Sequence, residues 1–215
     1  MNILITAGPT REHLDPIRFL SNRSTGKAGF AVAQAAAERG HQVTLIAGPV
    51  ALATPHGVTR VDVVSARDML AAVERLLPRH DALIMSAAVA DWRPAQEADA
   101  KLKKNAMPPT LQLVPNPDIL QTIAPLKGNR IFVGFAAETG DPVAEAQRKL
   151  IAKGLDLIVA NDVTAPGAGF AVDTNIVTLL SAATPPQPLP LQSKQDVART
   201  IVQWVENHAV APCLF

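Results

Sequence analysis

Short apolar runs alternate along this chain with amphipathic stretches of helical period, and that alternation limits the folds open to it more than any other feature. Residues 2–6, 42–47, 59–64, 82–86, 131–135 and 156–160 read as strands. Residues 26–39, 66–77, 117–125, 142–153 and 196–207 read as the helices between them. The run Ala82-Leu83-Ile84-Met85 shows no polar alternation, as expected of a strand covered on both faces of a parallel sheet. Repeated βαβ units predict a three-layer α/β sandwich with a mostly parallel sheet. Ser65 and Asp68 are spaced as a capping box, and Gly40 and Gly154 are expected helix stops. A later strand is expected at 175–181, then an irregular connection through Thr184-Pro185-Pro186-Gln187-Pro188 into the last helix.

The 215 residues suit one domain, 1–215, with a substantial core. Lys and Arg total 20 against 19 for Asp and Glu, so no global field favours nucleic acid or an anionic membrane, and a charged ligand would need a local cluster. The single Cys213 excludes an internal disulfide and points to a reducing, cytoplasmic setting. No apolar stretch nears the roughly 18 residues of a membrane span, and Asn2-Ile3-Leu4-Ile5 is expected to open a strand, not a signal peptide.

Three irregular stretches, 8–24, 87–110 and 162–174, break the rhythm and are expected to meet at one sheet edge. In the second, Ser86-Ala87-Ala88-Val89-Ala90-Asp91 follows a buried strand and leads to Lys101-Leu102-Lys103-Lys104. Small residues at a strand's carboxyl end expose main-chain groups to a ligand, and one acid with several cations suits an anion. In the first, Gly26 and Gly29 stand too far from strand one for a dinucleotide fingerprint, and Ser21 and Ala28 occupy positions where a P-loop needs Gly and Ser or Thr. What remains is a helix start able to cradle an anion, with Ser24 as its expected cap and Arg18 and Asn22 just upstream. The plainer alternatives are a cap without ligand and exposed loop residues. Phe135 reads as core; Lys149 and Lys153 share a helix face, either toward a phosphate-rich ligand or as a solvated stripe. None of the five His residues stands in metal-ligand spacing.

Taken together, Thr6-Ala7-Gly8-Pro9-Thr10-Arg11-Glu12, Asp15-Pro16-Ile17-Arg18, Ser21-Asn22-Arg23-Ser24-Thr25-Gly26-Lys27, Ala87-Ala88-Val89-Ala90-Asp91, Lys101-Leu102-Lys103-Lys104, Asn116-Pro117-Asp118-Ile119 and Gly134-Phe135-Ala136-Ala137-Glu138-Thr139 closely resemble bacterial phosphopantothenoylcysteine synthetases. The resemblance runs in register over nearly the whole chain. It implies a Rossmann-like domain with a dimerisation arm, for which residues 162–190 offer material. The implied activity joins 4'-phosphopantothenate to L-cysteine in coenzyme A biosynthesis, through an acyl-cytidylate made from CTP with Mg2+ or Mn2+. By the same resemblance Asn22 and Lys101 are catalytic. Arg18, Asn22, Ala87 and Ala88 serve the phosphopantothenate part. Ser24, Met85, Ser86, Ala87, Asp91, Lys101, Pro117, Asp118, Ile119, Leu120, Phe135, Lys149 and Lys153 surround the nucleotide. Asp91 is left between ribose and metal, and the metal ligands stay unassigned. The flavin-dependent decarboxylase that forms the amino half of many such proteins is absent from this sequence, so no flavin is expected. Two other readings fit the same sheet: a nicotinamide-dependent reductase, disfavoured by the displaced glycines, and a non-catalytic nucleotide sensor, disfavoured by Asn22 and Lys101.

Overall fold

The computed structural model describes residues 1–105, 110–138 and 142–209. Six parallel strands form the centre: β1 (Asn2–Ala7), β4 (Gln42–Ala47), β5 (Val58–Asp62), β6 (Ala82–Met85), β9 (Ile131–Glu138) and β10 (Leu157–Asp162). Two antiparallel strands, β11 (Thr174–Leu180) and β12 (Gln187–Ser193), complete an eight-stranded sheet of order β12-β11-β10-β9-β6-β1-β4-β5. The chain winds outward from β1 through β4 to β5, then returns past β1 to β6. This is the doubly wound order, with its switch point between β1 and β6. Rossmann-like topology is thus observed.

Side-chain alternation divides the core in two. Ile3, Ile5, Val43, Leu45 and Ile84 pack under α1 (Lys27–Glu38) and α5 (Lys194–His208), against Phe30, Val32, Ile201 and Val205. On the opposite face, Leu4, Ile46, Leu83, Phe132 and Ile158 pack against α2 (Ala66–Leu76), α3 (Ile119–Ile123) and α4 (Pro142–Ala152), through Met69, Val73, Ile123 and Leu150. Burial on both faces explains why these strands read as unbroken apolar runs. No helix among the described residues is long and apolar enough to cross a membrane.

The Ser65–Asp68 capping box forms completely, with Asp68 N–H donating to Ser65 Oγ (3.1 Å) and Ser65 N–H to Asp68 Oδ2 (2.9 Å). Gly40 and Gly154 both follow helices at positive φ. Three elements depart from expectation. The first irregular stretch holds a hairpin, β2 (Arg11–His13) with β3 (Phe19–Ser21), and the second holds β7 (Trp92–Pro94), which pairs with β8 (Leu113–Pro115) just beyond it in a two-stranded ribbon. Segments of three residues are too short to show a period. The Pro-rich connection is irregular only as far as Pro186 and passes at Gln187 into strand β12, where Pro188 and Pro190 are tolerated because the strand is the sheet's outermost. Cys213 and Thr139 lie outside the described residues, as do residues 106–109 of the second stretch.

Candidate functional site

A cleft of about 760 Å³ opens over the carboxyl ends of β1, β6 and β9, where the switch point predicts a ligand. Pairing of β1 and β6 continues past their ends: Ser86 N–H donates to Thr6 O (3.2 Å), Ala88 N–H to Gly8 O (2.9 Å) and Thr10 N–H to Ala88 O (3.3 Å). Thr6 Oγ1 accepts from Ala87 N–H, and Thr10 Oγ1 from Ala90 N–H. Two buried threonines therefore fix the small-residue stretch that forms the cleft floor. Asn22 Nδ2 donates to Ala88 O (2.9 Å), and Asn116 Nδ2 to Ala90 O (2.8 Å), tying both rims to that floor.

Helix α1 enters beside the floor. Its N-cap is Gly26 at φ 79°, with no side-chain cap, so the expectation for Ser24 is corrected. Ser24 Oγ instead accepts from the N–H of Gly26 itself (3.3 Å), because the left-handed Gly26 rotates the chain between the hydroxyl and the first helical N–H groups. Gly29 lets the helix approach the sheet: a Cβ there would lie 2.5 Å from Ala7 Cβ and 3.1 Å from Ser86 Oγ. The role of a fingerprint glycine is thus filled despite the intervening loop.

The structure brings Asn22, Ser24, Met85, Ser86, Ala87, Ala88, Asp91, Pro117, Asp118, Ile119, Leu120, Phe135 and Lys153 into this one cleft. Asp118 is the N-cap of α3, accepting from Gln121 N–H, and its carboxylate pairs with Lys153 at 3.0 Å. Helix α3 consequently starts at Ile119, later than the Pro117 expected. Phe135 is half-buried, packed against the core while lining the cleft.

Three expected residues do not line it. Arg18 turns its guanidinium to Asp15 and to Leu102 O (2.8 Å). Lys149 is engaged by Glu138 (2.6 Å) and Glu145 (3.5 Å), although it shares a helix with Lys153. Lys101 is exposed on the segment before β8.

The third irregular stretch meets the first two here, as expected, with Val163, Gly169 and Phe170 forming the far wall, but the side chains that hold it went unrecognised. Lys194 is buried and donates to Gly169 O, Phe170 O and Val172 O, while Lys27 Nζ reaches Ala171 O and Asp173 (2.7 Å), and Thr25 Oγ1 donates to Phe170 O. Together they strap the third irregular stretch across the start of α1. Burial, then the neighbouring Lys27 charge, pushes the Lys194 ammonium down from its ordinary range, and Lys27 lowers Asp173. Asn161 and Asn175 complete this wall. Asn161 ends an apolar strand at its carboxyl edge, a signal that could have found it. Lys194 carried none, since the last helix was expected to begin at Asp196.

Asp15 is buried under the hairpin, and the Arg18 guanidinium holds its carboxyl well below the usual carboxylate range, against the opposing effect of burial and with help from backbone N–H groups. Arg148 lowers Glu145, Ser193 lowers Asp196 and Arg39 lowers Glu206 in the same direction. A carboxylate lowered below its unfolded value of about 4 stabilises the fold above that pH and loses its contribution as pH falls through the folded value. Denaturation midpoints should therefore hold level from neutral pH to about 5 and fall below about 4. Asp15→Asn should make that acid limb shallower; an unchanged slope in urea titrations would remove Asp15 as a contributor.

The family described as the DNA/pantothenate metabolism flavoprotein C-terminal domain matches residues 1–209. The coenzyme A biosynthesis bifunctional protein CoaBC of Bacillus subtilis (strain 168) is 49% identical over 203 residues, covering 94% of this chain and 50% of that protein. The chain thus spans about half the length of the curated relatives it matches. The crystal structure of the C-terminal domain of a coenzyme A biosynthesis bifunctional protein CoaBC is 41% identical, with a TM-score of 0.82 over 96% of this chain and 94% of that one. A Cab2 mutant in complex with phosphopantothenate-cysteine shares the fold at 16% identity and a TM-score of 0.79, over 97% and 86%.

Proposed function

Because the chain belongs to the family of DNA/pantothenate metabolism flavoprotein C-terminal domains, we propose that it is a phosphopantothenate–cysteine ligase of coenzyme A biosynthesis, acting in the cytoplasm with CTP as co-substrate and no flavin of its own. The observation that carries this reading is one cleft at the switch point where the Met85–Ala88 floor, the Asn22 and Ser24 approach to α1 and the Pro117–Leu120 stretch face one another.

A carboxylate does not react with an amine at neutral pH until it has a better leaving group. In the proposed reaction a phosphopantothenate carboxylate oxygen attacks the α-phosphorus of CTP, and the bond to the β-phosphate breaks to release pyrophosphate. The cysteine amine then attacks the acyl carbon of the cytidylate, gives up a proton and expels CMP. Both steps bring anions together, so fixed donors and cations at the site contribute most. In this reading Asn22 and the main chain at Ala87 and Ala88 hold the pantothenoyl part, and Ser24 with the first N–H groups of α1 receives phosphate. Met85, Ser86, Ala87 and Pro117–Leu120 offer main-chain groups to the cytosine edge, Phe135 an aromatic face, and Lys153 a positive charge. Lys101, on the exposed segment between β7 and β8, processes the acyl-cytidylate, and Lys149, paired with Glu138 and Glu145, takes no direct part.

Magnesium, or manganese in its place, fits as a companion of the triphosphate. Among the described residues no group of three or more His, Cys, Asp or Glu could hold a metal alone; of the two carboxylates in the cleft lining, Asp118 is paired with Lys153 and Asp91 stands exposed. Such a cation is commonly held by phosphates with one or two carboxylates, and it would neutralise phosphate charge.

Product analysis with phosphopantothenate, cysteine and each of the four nucleoside triphosphates tests the reading. Turnover with CTP and magnesium should release CMP and pyrophosphate. Release of CDP and phosphate would refute the cytidylate route, and equal use of ATP would remove the nucleotide assignment alone.

The reading includes a homodimer. The β11–β12 arm leaves Leu191 at 52% and Ile176 at 36% exposure, an apolar surface suited to a second copy. Light scattering should give twice the chain mass at assay concentration, and a fully active monomer would rule the dimer out.

A further inference from the structure

Asp15 and Arg18 make an unusual set of contacts with one residue of the exposed segment that carries Lys101. The buried Asp15 carboxylate accepts from the N–H groups of Ile17 (2.9 Å) and Arg18 (2.9 Å) through Oδ1, and from Arg18 Nε (3.0 Å) and Leu102 N–H (3.2 Å) through Oδ2. Arg18 Nη2 donates to Asp15 and also to Leu102 O at 2.8 Å. Both halves of the Leu102 backbone are therefore gripped by one ion pair, and Ala98 N–H adds a tether to Leu14 O (3.0 Å).

The surroundings give this grip little competition. Lys101, Lys103 and Lys104 are exposed and residues 101–105 have no regular secondary structure, so holding them still costs about 1–2 kcal/mol of backbone entropy per residue. A planar guanidinium bonded to a carboxylate and a carbonyl at once is well suited to oppose that cost, because the pair is itself rigid and its donors are charge-assisted. Lys101 is bonded directly to the gripped residue, which places its Cα about 3.8 Å away from a fixed point. On the other side, the hairpin that contains Asp15 and Arg18 ends at Ser21, and the next residue is Asn22. One ion pair thus links the chain segments bearing both proposed catalytic residues.

We infer that Asp15 and Arg18 are positioning residues for Lys101, which they serve by clamping the Leu102 backbone at the turn of the hairpin that leads into Asn22. This deepens the ligase reading and rests on it. Arg18 acts here through the main chain and does not touch substrate.

A double-mutant cycle tests it, with Arg18→Gln, Lys101→Gln and the pair, each checked for folding by circular dichroism and followed by amide hydrogen exchange at Leu102. Arg18→Gln should lower kcat by at least about 10-fold with little change in KM for phosphopantothenate, the scale of a misplaced catalytic group. Leu102 exchange should quicken, and in the Lys101→Gln background the same change should cost almost nothing more. Arg18→Lys, which keeps the charge, should recover part of kcat and carries the same cycle should the glutamine variant not fold. An equal loss in both backgrounds, a rise in KM alone, a faster enzyme or unchanged Leu102 exchange would each overturn the inference. If the unaltered protein made no product with any nucleoside triphosphate, the ligase reading would fail first and take the inference with it.

Discussion

Lys101→Gln is expected to keep the fold and slow turnover by roughly 10²-fold or more, the scale for losing one preorganised electrostatic donor. The fold should survive because Lys101 is exposed and its neighbour Leu102 is held through the backbone, which the substitution leaves alone. With labelled CTP, mass spectrometry of quenched reactions should find acyl-cytidylate formed but poorly consumed by cysteine. Asn22→Asp should act differently. It places a negative charge beside Ala88 O, where Asn22 now donates, so the intermediate should form poorly or leak. Normal turnover in both variants would overturn the site assignment.

Gly48→Ala should be the most damaging single-methyl change among the described glycines. A Cβ at Gly48 would lie 1.9 Å from Pro9 O and 2.9 Å from Pro9 C, both backbone atoms that no rotamer change can move aside. The loop after β1 would have to lift, breaking the Pro9–Ala88 bridge and the N–H contacts that seat the cleft floor. A loss of about 3 kcal/mol or more is expected, the upper end for overpacking, with activity lost in whatever fraction still folds. Equilibrium urea denaturation measures it; a midpoint equal to the parent's would show that the loop yields at no cost.

The parallel core was legible because strands covered on both faces must be apolar throughout, and runs such as Ala82–Met85 admit few other readings. Helix ends were legible where a side chain does the capping, as at Ser65. The start of α1 was read to within a residue, but its cap was misjudged because the capping geometry comes from the backbone of Gly26, which leaves no polar signature. The cleft floor could be read from small residues at a strand end. The third irregular stretch could be placed at the same edge, but its partners Lys194 and Asn175 could not, since they come from elements whose relation to β1 depends on the crossover and on two antiparallel strands added at one side. The Asp15–Arg18 grip was hidden for a similar reason: an acid and a base three residues apart look like a surface pair until a third segment is seen docked on them.

The two prolines of β12 bear on how the molecule meets its own kind. An outermost strand normally offers a row of N–H and C=O groups on which another chain can build, and that templating is a route to fibres. Pro188 and Pro190 have no N–H to give, so the ladder is interrupted at two positions of a seven-residue edge. A neighbouring arm can settle against this strand through side chains such as Leu191, but a continuous ribbon cannot grow from it. For the proposed homodimer, an edge interrupted in this way favours closed pairs over open-ended stacking.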